Sequence, residues 1–251
     1  MCAWSLLRRE VLAVVGSLAP AERVARLASL PGVSTAGGVA GAAVHDSVMG
    51  RLLPVLPELA GVLPFGGLRR GSTVSVGGSR SLLLSLLAEA TAQGSWAAVV
   101  GMPDLGVVAA AELGVETSRM ALVPAPGVEL VPVTAALLDG VDLVVVGCGA
   151  PDLRTARRLS ARARHRGAVL LAAGSWPGAD VELRCVPGRW RGLDGAGHGY
   201  LSEREVTVHS YGRGAAARPA RTKFLLPGQG GRADASSLVE AESWDTTREV
   251  S

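Results

Sequence analysis

Lysine is nearly absent from this chain: Lys223 is the single lysine among 25 basic residues in 251. Compositional bias of the coding sequence explains such an arginine excess, and a net charge of +3 does not by itself point to a nucleic-acid partner. The scarcity still has a consequence, because no glycine-rich loop of the sequence has a lysine beside it. Aromatic residues are also few, at 4 %. The apolar 48 % is mostly Ala, Val and Leu, which suits helices packed on a parallel sheet better than a β-sandwich. The cysteines Cys2, Cys148 and Cys185 are far apart and form no CxxC pair. That argues against a disulfide framework and a zinc site, and it fits a reducing compartment. No window approaches the roughly 18 uninterrupted apolar residues of a membrane span. The opening MCAWSLLRREVLAVVGSLAP is broken by Arg8, Arg9 and Glu10 and does not read as a secretory signal. A cytoplasmic protein without membrane contact is expected.

What is present is an alternation of strand-like and helix-like runs. Trp4, Leu7, Val11, Val14 and Leu18 fall at helical spacing, and Ala21–Leu30 reads as a second helix, so residues 1–31 are expected to be helical. Residues 32–58 read as a linker with short helical pieces. Residues 59–211 carry the repeating pattern. Strand Thr73–Val76 leads to helix Leu82–Gln93, strand Trp96–Val100 to helix Leu105–Leu113, and a strand follows at Met120–Val123. Helix Val133–Leu138 precedes strand Asp142–Val146, and helix Leu153–Arg166 precedes strand Ala168–Ala172. Val181–Val186 and Glu205–Ser210 suggest an antiparallel edge. The expected class is α/β, a mostly parallel sheet flanked by helices. Residues 212–251 read as a basic stretch followed by a flexible polar tail, with a short helix at Ser236–Trp244 conceivable on binding.

The segment GGLRRGSTVSVGGSRSLLLSLLAEA, Gly66–Ala90, poses the functional question. A strand, a glycine-rich turn and an apolar helix are the frame of a phosphate loop. Such a loop works because backbone N–H groups ring the β-phosphate, a lysine reaches the β/γ oxygens and a Ser/Thr holds Mg²⁺. Here the turn is only Gly77, Gly78, Ser79, Arg80 and Ser81. The positions five residues beyond the glycines are Leu82 and Leu83, and no lysine is near. Arg80 is expected just before the helix and Ser85 too far inside it to serve as replacements. The strand Asp142–Val146, which should end in a carboxylate to orient Mg²⁺, is followed by Gly147. Asp104 is a candidate remnant water-activating carboxylate, although a turn or capping role suits it better. A missing lysine, a shortened loop and a missing carboxylate together describe a degenerate site, so no catalytic residue, cofactor or metal is expected.

These segments resemble the RecA family. GGLRRGSTVSVGG is similar to the run into the RecA phosphate loop, AELGVETSRMALVPAPG to the segment before its third strand, and VDLVVVG to its Mg²⁺-carboxylate strand with Gly147 in place of the acid. LLAAGSWPGADVELRCVPGRWRGL and FLLPG are similar to the ImuA-like group of RecA paralogues, specifically the shortened actinobacterial ImuA-prime type. The resemblance spans about Leu59–Pro227. It implies a RecA-like fold and a role in damage-induced mutagenesis, within the SOS response, as a non-catalytic accessory protein of error-prone translesion synthesis. The implied partners are an ImuB-like Y-family adaptor and an error-prone polymerase. The two loops with which RecA holds DNA are cut to about Cys148–Asp152 and Gly174–Ala179, so any DNA contact is expected to be indirect. Alternatives are a SulA-like cell-division inhibitor and a divergent RecA-like ATPase.

Two surfaces qualify for partners. Arg154, Arg157, Arg158, Arg162 and Arg166 recur along helix Leu153–Arg166 and form a candidate basic patch, although a solvated outer face explains them as well. Aromatic residues are not interleaved with them, which counts against single-strand binding there. Arg213, Arg218, Arg221, Lys223, Phe224 and Leu225 form a candidate docking stretch. The N-terminal helix is a candidate for self-association, while Trp176 and Trp190 read mainly as packing residues. His45, His165, His198 and His209 show no metal-ligand spacing, and no serine sits in a GxSxG turn.

Overall fold

The computed structural model describes residues 51–147, 149–194, 196–228 and 233. The expected N-terminal helices, most of the linker, Cys148 and the rest of the polar tail lie outside the described residues.

A two-stranded ribbon comes first. β1 (Leu52–Leu53) pairs antiparallel with β2 (Leu68–Arg69), with α1 (Pro57–Ala60) between them. The main sheet contains β3 (Thr73–Gly77), β4 (Ala97–Val100), β5 (Met120–Val123), β6 (Leu143–Val146), β7 (Val169–Ala173), β8 (Val181–Leu193), β9 (Gly199–Gly212) and β10 (Ala220–Leu225). Their order is β10-β9-β8-β3-β7-β6-β4-β5. From β8 to β5 every pairing is parallel, whereas β8–β9 and β9–β10 are antiparallel. This is the mostly parallel α/β sheet flanked by helices expected of a RecA-like core.

The parallel half is covered on both sides, as its continuous apolar strands require. One side lies under α2 (Arg80–Ala92) and α3 (Val107–Glu112): Leu83, Leu86, Leu87 and Ala110 join Val74, Val76, Val145 and Leu171 in one buried cluster. The other lies under α4 (Leu130–Leu137) and α5 (Leu153–Arg166): Ala156, Leu159 and Ala163 pack with Val144, Val146, Leu170 and Trp176. α5 has the boundaries expected from sequence. The Asp152 carboxylate accepts from the N–H groups of Arg154 and Thr155, capping its start, and Gly167 ends it.

One small polar node ties this second layer to the sheet. Thr73 Oγ1 donates to Ser160 Oγ at 2.9 Å, and the Trp176 indole N–H donates to the same oxygen at 3.0 Å. The Thr73 N–H donates to Asp180 Oδ2 at 2.9 Å, while the Asp180 N–H donates back to the Thr73 carbonyl at 2.8 Å. Strand β3, helix α5 and the start of β8 are thereby held together. Trp176, read as a packing residue, is buried as such.

The antiparallel half is larger than its sequence suggests. β8 and β9 extend to Leu193 and back from Gly199 as a long ribbon, with register shifts between Pro187 and Trp190 and between Arg191 and Leu193. The segment ARTKFL, read as part of a basic docking stretch, is β10, the edge of the sheet. Phe224 is 1 % and Leu225 6 % exposed, and Phe224 sits in the core beside Val206 and Val208. Both are corrected from docking residues to buried ones: pairing with β9 turns Phe224 into the core, and Leu225, on the opposite side of the strand, is buried as well. Replacing Phe224 with Ala should therefore cost about 3–5 kcal/mol of stability, measured by chemical denaturation. A loss near zero would return this segment to a flexible tail.

Candidate functional site

In open α/β sheets the binding crevice lies beyond the carboxyl ends of the parallel strands. Here that position holds a cleft of about 480 Å³ lined by Gly78, Ser79, Arg80, Met102, Asp104 and Gly147, among others. The loop before α2 lies close against β8. Gly78 has φ +87°, and a Cβ there would overlap the Cys185 carbonyl oxygen, so the turn is pressed onto β8. Ser79 caps α2 by accepting from the Leu82 N–H at 3.1 Å, which occupies one of the free donors of the helix end. Burial pushes the thiol of the neighbouring Cys185 up from its usual range, so it stays protonated and inert there.

Arg80 is the first residue of α2 and not, as expected, a residue before it. Its guanidinium turns to Asp104, 3.6 Å from the carboxylate and 3.5 Å from the backbone carbonyl. Both side chains are mostly solvent-exposed, so the pair contributes little stability. It does direct the loop's cation toward the candidate remnant carboxylate across the cleft. Gly77 ends β3 and Ser81 lies in the first turn of α2, its carbonyl accepting from Ser85 Oγ at 2.8 Å. Ser85 is thus turned back on its own helix, away from any metal.

Gly147 is where the closure is most complete. Its N–H donates to the Val100 carbonyl at 2.8 Å. A Cβ at this position would overlap Met102 Cγ and stand 2.7 Å from the Gly101 carbonyl oxygen. The position at which a Mg²⁺ carboxylate is expected is occupied by a thioether and by backbone. Met102 and Gly101 were not singled out in the sequence. Their signal was a glycine following each of two neighbouring parallel strands, at 101 and 147, which lets two strand ends approach closely. Among the described residues, no group of three or more His, Cys, Asp or Glu could hold a metal ion.

The candidate basic patch on α5 is divided. Arg162 and Arg166 both ion-pair with Asp139, at the end of α4. Arg154, Arg157 and Arg158 are exposed. Arg164, not part of the patch, stands 3.7 Å from Asp180. In the candidate docking stretch, the Arg213 guanidinium donates to the Gly178 and Ala179 carbonyls and fastens the loop before β8. Arg218 is exposed, and Arg221 and Lys223 lie on β10, facing away from Phe224.

Two outcomes follow. Gly147→Asp should lower the thermal midpoint without creating Mg²⁺ affinity in titration. Adding Met102→Ala should recover only part of the loss, because the Gly101 carbonyl still obstructs. The second concerns Asp139, whose carboxyl is held below the usual 3.8 by the Arg162 hydrogen bond first. Its folded value is lower than its unfolded one, so its stabilisation is present above the unfolded value and lost as pH falls through the folded one. Asp139→Asn should flatten that acid-side loss in pH-dependent melts and leave the neutral-to-basic limb parallel to the wild type.

Residues 61–178 match the family described as the MT3502 N-terminal domain. The crystal structure of the flagellar accessory protein FlaH from Methanocaldococcus jannaschii is similar with a TM-score of 0.44 and 9 % identity, over 68 % of this chain and 93 % of that one. A protein of Mycobacterium tuberculosis (strain ATCC 25618 / H37Rv), described as uncharacterized protein Rv3395c, is 40 % identical over 152 residues, which is 57 % of this chain and 74 % of the relative. By that identity over most of the relative's length, the chain belongs to the family of this mycobacterial protein.

Proposed function

We propose that this protein is a non-catalytic, RecA-fold accessory protein that works through its surfaces, in damage-induced mutagenesis beside a Y-family-like adaptor and an error-prone polymerase. The observation that carries the non-catalytic part is the filled Gly147 position, where Met102 and the Gly101 backbone take the space of the Mg²⁺ carboxylate. The loop adds to it, since Gly78 rests on β8 and Arg80 faces Asp104. Among the described residues lining that cleft the one basic side chain, Arg80, faces Asp104, whereas such enzymes balance triphosphate charge with lysine and metal. The mutagenesis part is supported by the resemblance of Leu59–Pro227 to the ImuA-like group.

Isothermal titration with ATP–Mg²⁺ tests the first part. No binding tighter than about 1 mM is expected, and turnover abolished by Arg80→Ala or Asp104→Ala would replace the reading with that of a divergent ATPase. Affinity capture with the full chain tests the second. Direct binding to a Y-family-like adaptor is expected, and binding to a tubulin-like division protein instead would favour the division-inhibitor alternative.

A further inference from the structure

The antiparallel half of the sheet has one covered face and one open one. Leu183, Cys185, Val206, Val208 and Phe224 point into the core under α2. Their neighbours in sequence point to the side that α4 and α5 cover elsewhere, but no residue of β8, β9 or β10 belongs to the apolar cluster beneath those helices. Among the described residues, Glu182, Arg184, Val186 and Tyr211 are exposed on that side, His209, Arg221 and Lys223 are partly exposed, and Leu225, opposite Glu205 at the end of β10, is buried.

The register fixes what the open face displays. Arg184 lies opposite His209, and His209 opposite Arg221, forming one row across three strands. In the next row Val186 lies opposite Thr207 and Thr207 opposite Lys223. On the other side of the central row Tyr211 lies opposite Glu182. The His209 and Tyr211 rings are parallel within 4°, with centroids 6.2 Å apart, and Tyr211 is 44 % exposed. Burial first, then Arg221 and Arg184, lowers the His209 pKa from its usual value, so the ring is neutral at neutral pH. The positive charge of the face comes from its arginines and lysine. Against them stand Glu182 and, farther along β9, Glu205, which is 4.0 Å from Arg191.

We propose that this open face binds single-stranded nucleic acid, with Arg184 and Lys223 taking phosphates and Tyr211 and His209 stacking on bases. The sequence alone argues for indirect contact with DNA, because the two loops that hold it in RecA are cut short here, and α5 has cations without rings. The sheet supplies both, and their interleaving selects the ligand. Cations alone would suit any polyanion. Exposed rings on a flat sheet are useful only where bases are unstacked and can lie on them. A duplex keeps its bases stacked inside and offers this face only its phosphates. The inference stands apart from the mutagenesis reading and from the cleft at the strand ends.

Fluorescence anisotropy with the full chain and a labelled oligo-dT tests it, with a duplex of equal length as control. Binding at about 50 mM salt is expected, weakening as salt rises. The double variant Arg184→Ala/Lys223→Ala should weaken it and reduce the log–log salt slope by about 1.4, at roughly 0.7 per phosphate contact on a single strand. Tyr211→Ala should cost at least about fivefold, with Tyr211→Phe close to wild type, as stacking requires. Arg154→Ala/Arg158→Ala on α5 should change affinity less than twofold. All of these side chains lie on the surface or are half exposed, and thermal melts verify that each variant is folded. Absence of oligo-dT binding by the full chain overturns the proposal. That includes the case where a chain ending at Pro227 binds, which would assign the face to the acidic C-terminal tail. Equal affinity for the duplex, or an equal loss from the α5 variant, overturns it as well.

Discussion

A parallel ladder of apolar strands has to be covered on both faces, whereas an antiparallel ladder can leave one face wet. The architecture of this protein divides along that constraint. From β5 to β3 the sheet is enclosed between α2 and α3 on one side and α4 and α5 on the other, and strand β6, LVVV, is buried throughout. At β8 the pairing changes direction. The chain beyond needs only one buried face, and its other face becomes free to carry charge and rings. Thr73, Ser160, Trp176 and Asp180 sit at the seam, where hydrogen bonds fasten the last helix-covered strand to the first of the ribbon.

The same constraint shapes the strand ends. A nucleotide site in such a sheet depends on a gap at the carboxyl ends, held open by a loop that arches away and a carboxylate that projects inward. Once neither lysine nor carboxylate is supplied, nothing opposes closer packing, and dense packing is favourable wherever side chains can reach. Met102 fills toward Gly147, and Gly78 settles against the Cys185 carbonyl. Each glycine is required by the contact it makes, so the closed form is written into the backbone as well as the side chains. A side chain added at Gly78 or Gly147 meets atoms already in place.

Much of this was legible in the sequence because parallel strands and their helices carry dense signals. Asp152 and Gly167 bracket α5 at the expected residues, β5 falls where MALV places it, and Gly147 directly follows β6. The ribbon was less legible for a physical reason. In VPGRWRGL the glycines, proline and arginines are those of a loop, and the strand persists there through pairing with β9 and not through its own propensity. ARTKFL likewise has too few residues to declare alternation, so Phe224 and Leu225 resembled an exposed apolar motif, although the register with β9 turns Phe224 into the core and Leu225 is buried beside it. Arg80 was misplaced because a helix beginning after two glycines gives no start signal beyond Ser79. The candidate cluster on α5 failed differently: Asp139 is far from Arg162 and Arg166 in sequence, and only the packing of α4 on α5 makes it their partner.

The open face was out of reach for the same reason that it is informative. Arg184, His209, Tyr211, Arg221 and Lys223 come from three strands separated by loops, and no spacing in the sequence connects them. They become neighbours only through two antiparallel registers. A charged and aromatic row on a wet sheet face has no stabilising duty comparable to that of the core beneath it, where Val206, Val208 and Phe224 do the packing. Folding therefore explains the inward residues of these strands and leaves the outward ones to be explained by what they meet. The proposed nucleic-acid contact uses the uncovered side of the same sheet, away from the cleft at its carboxyl edge.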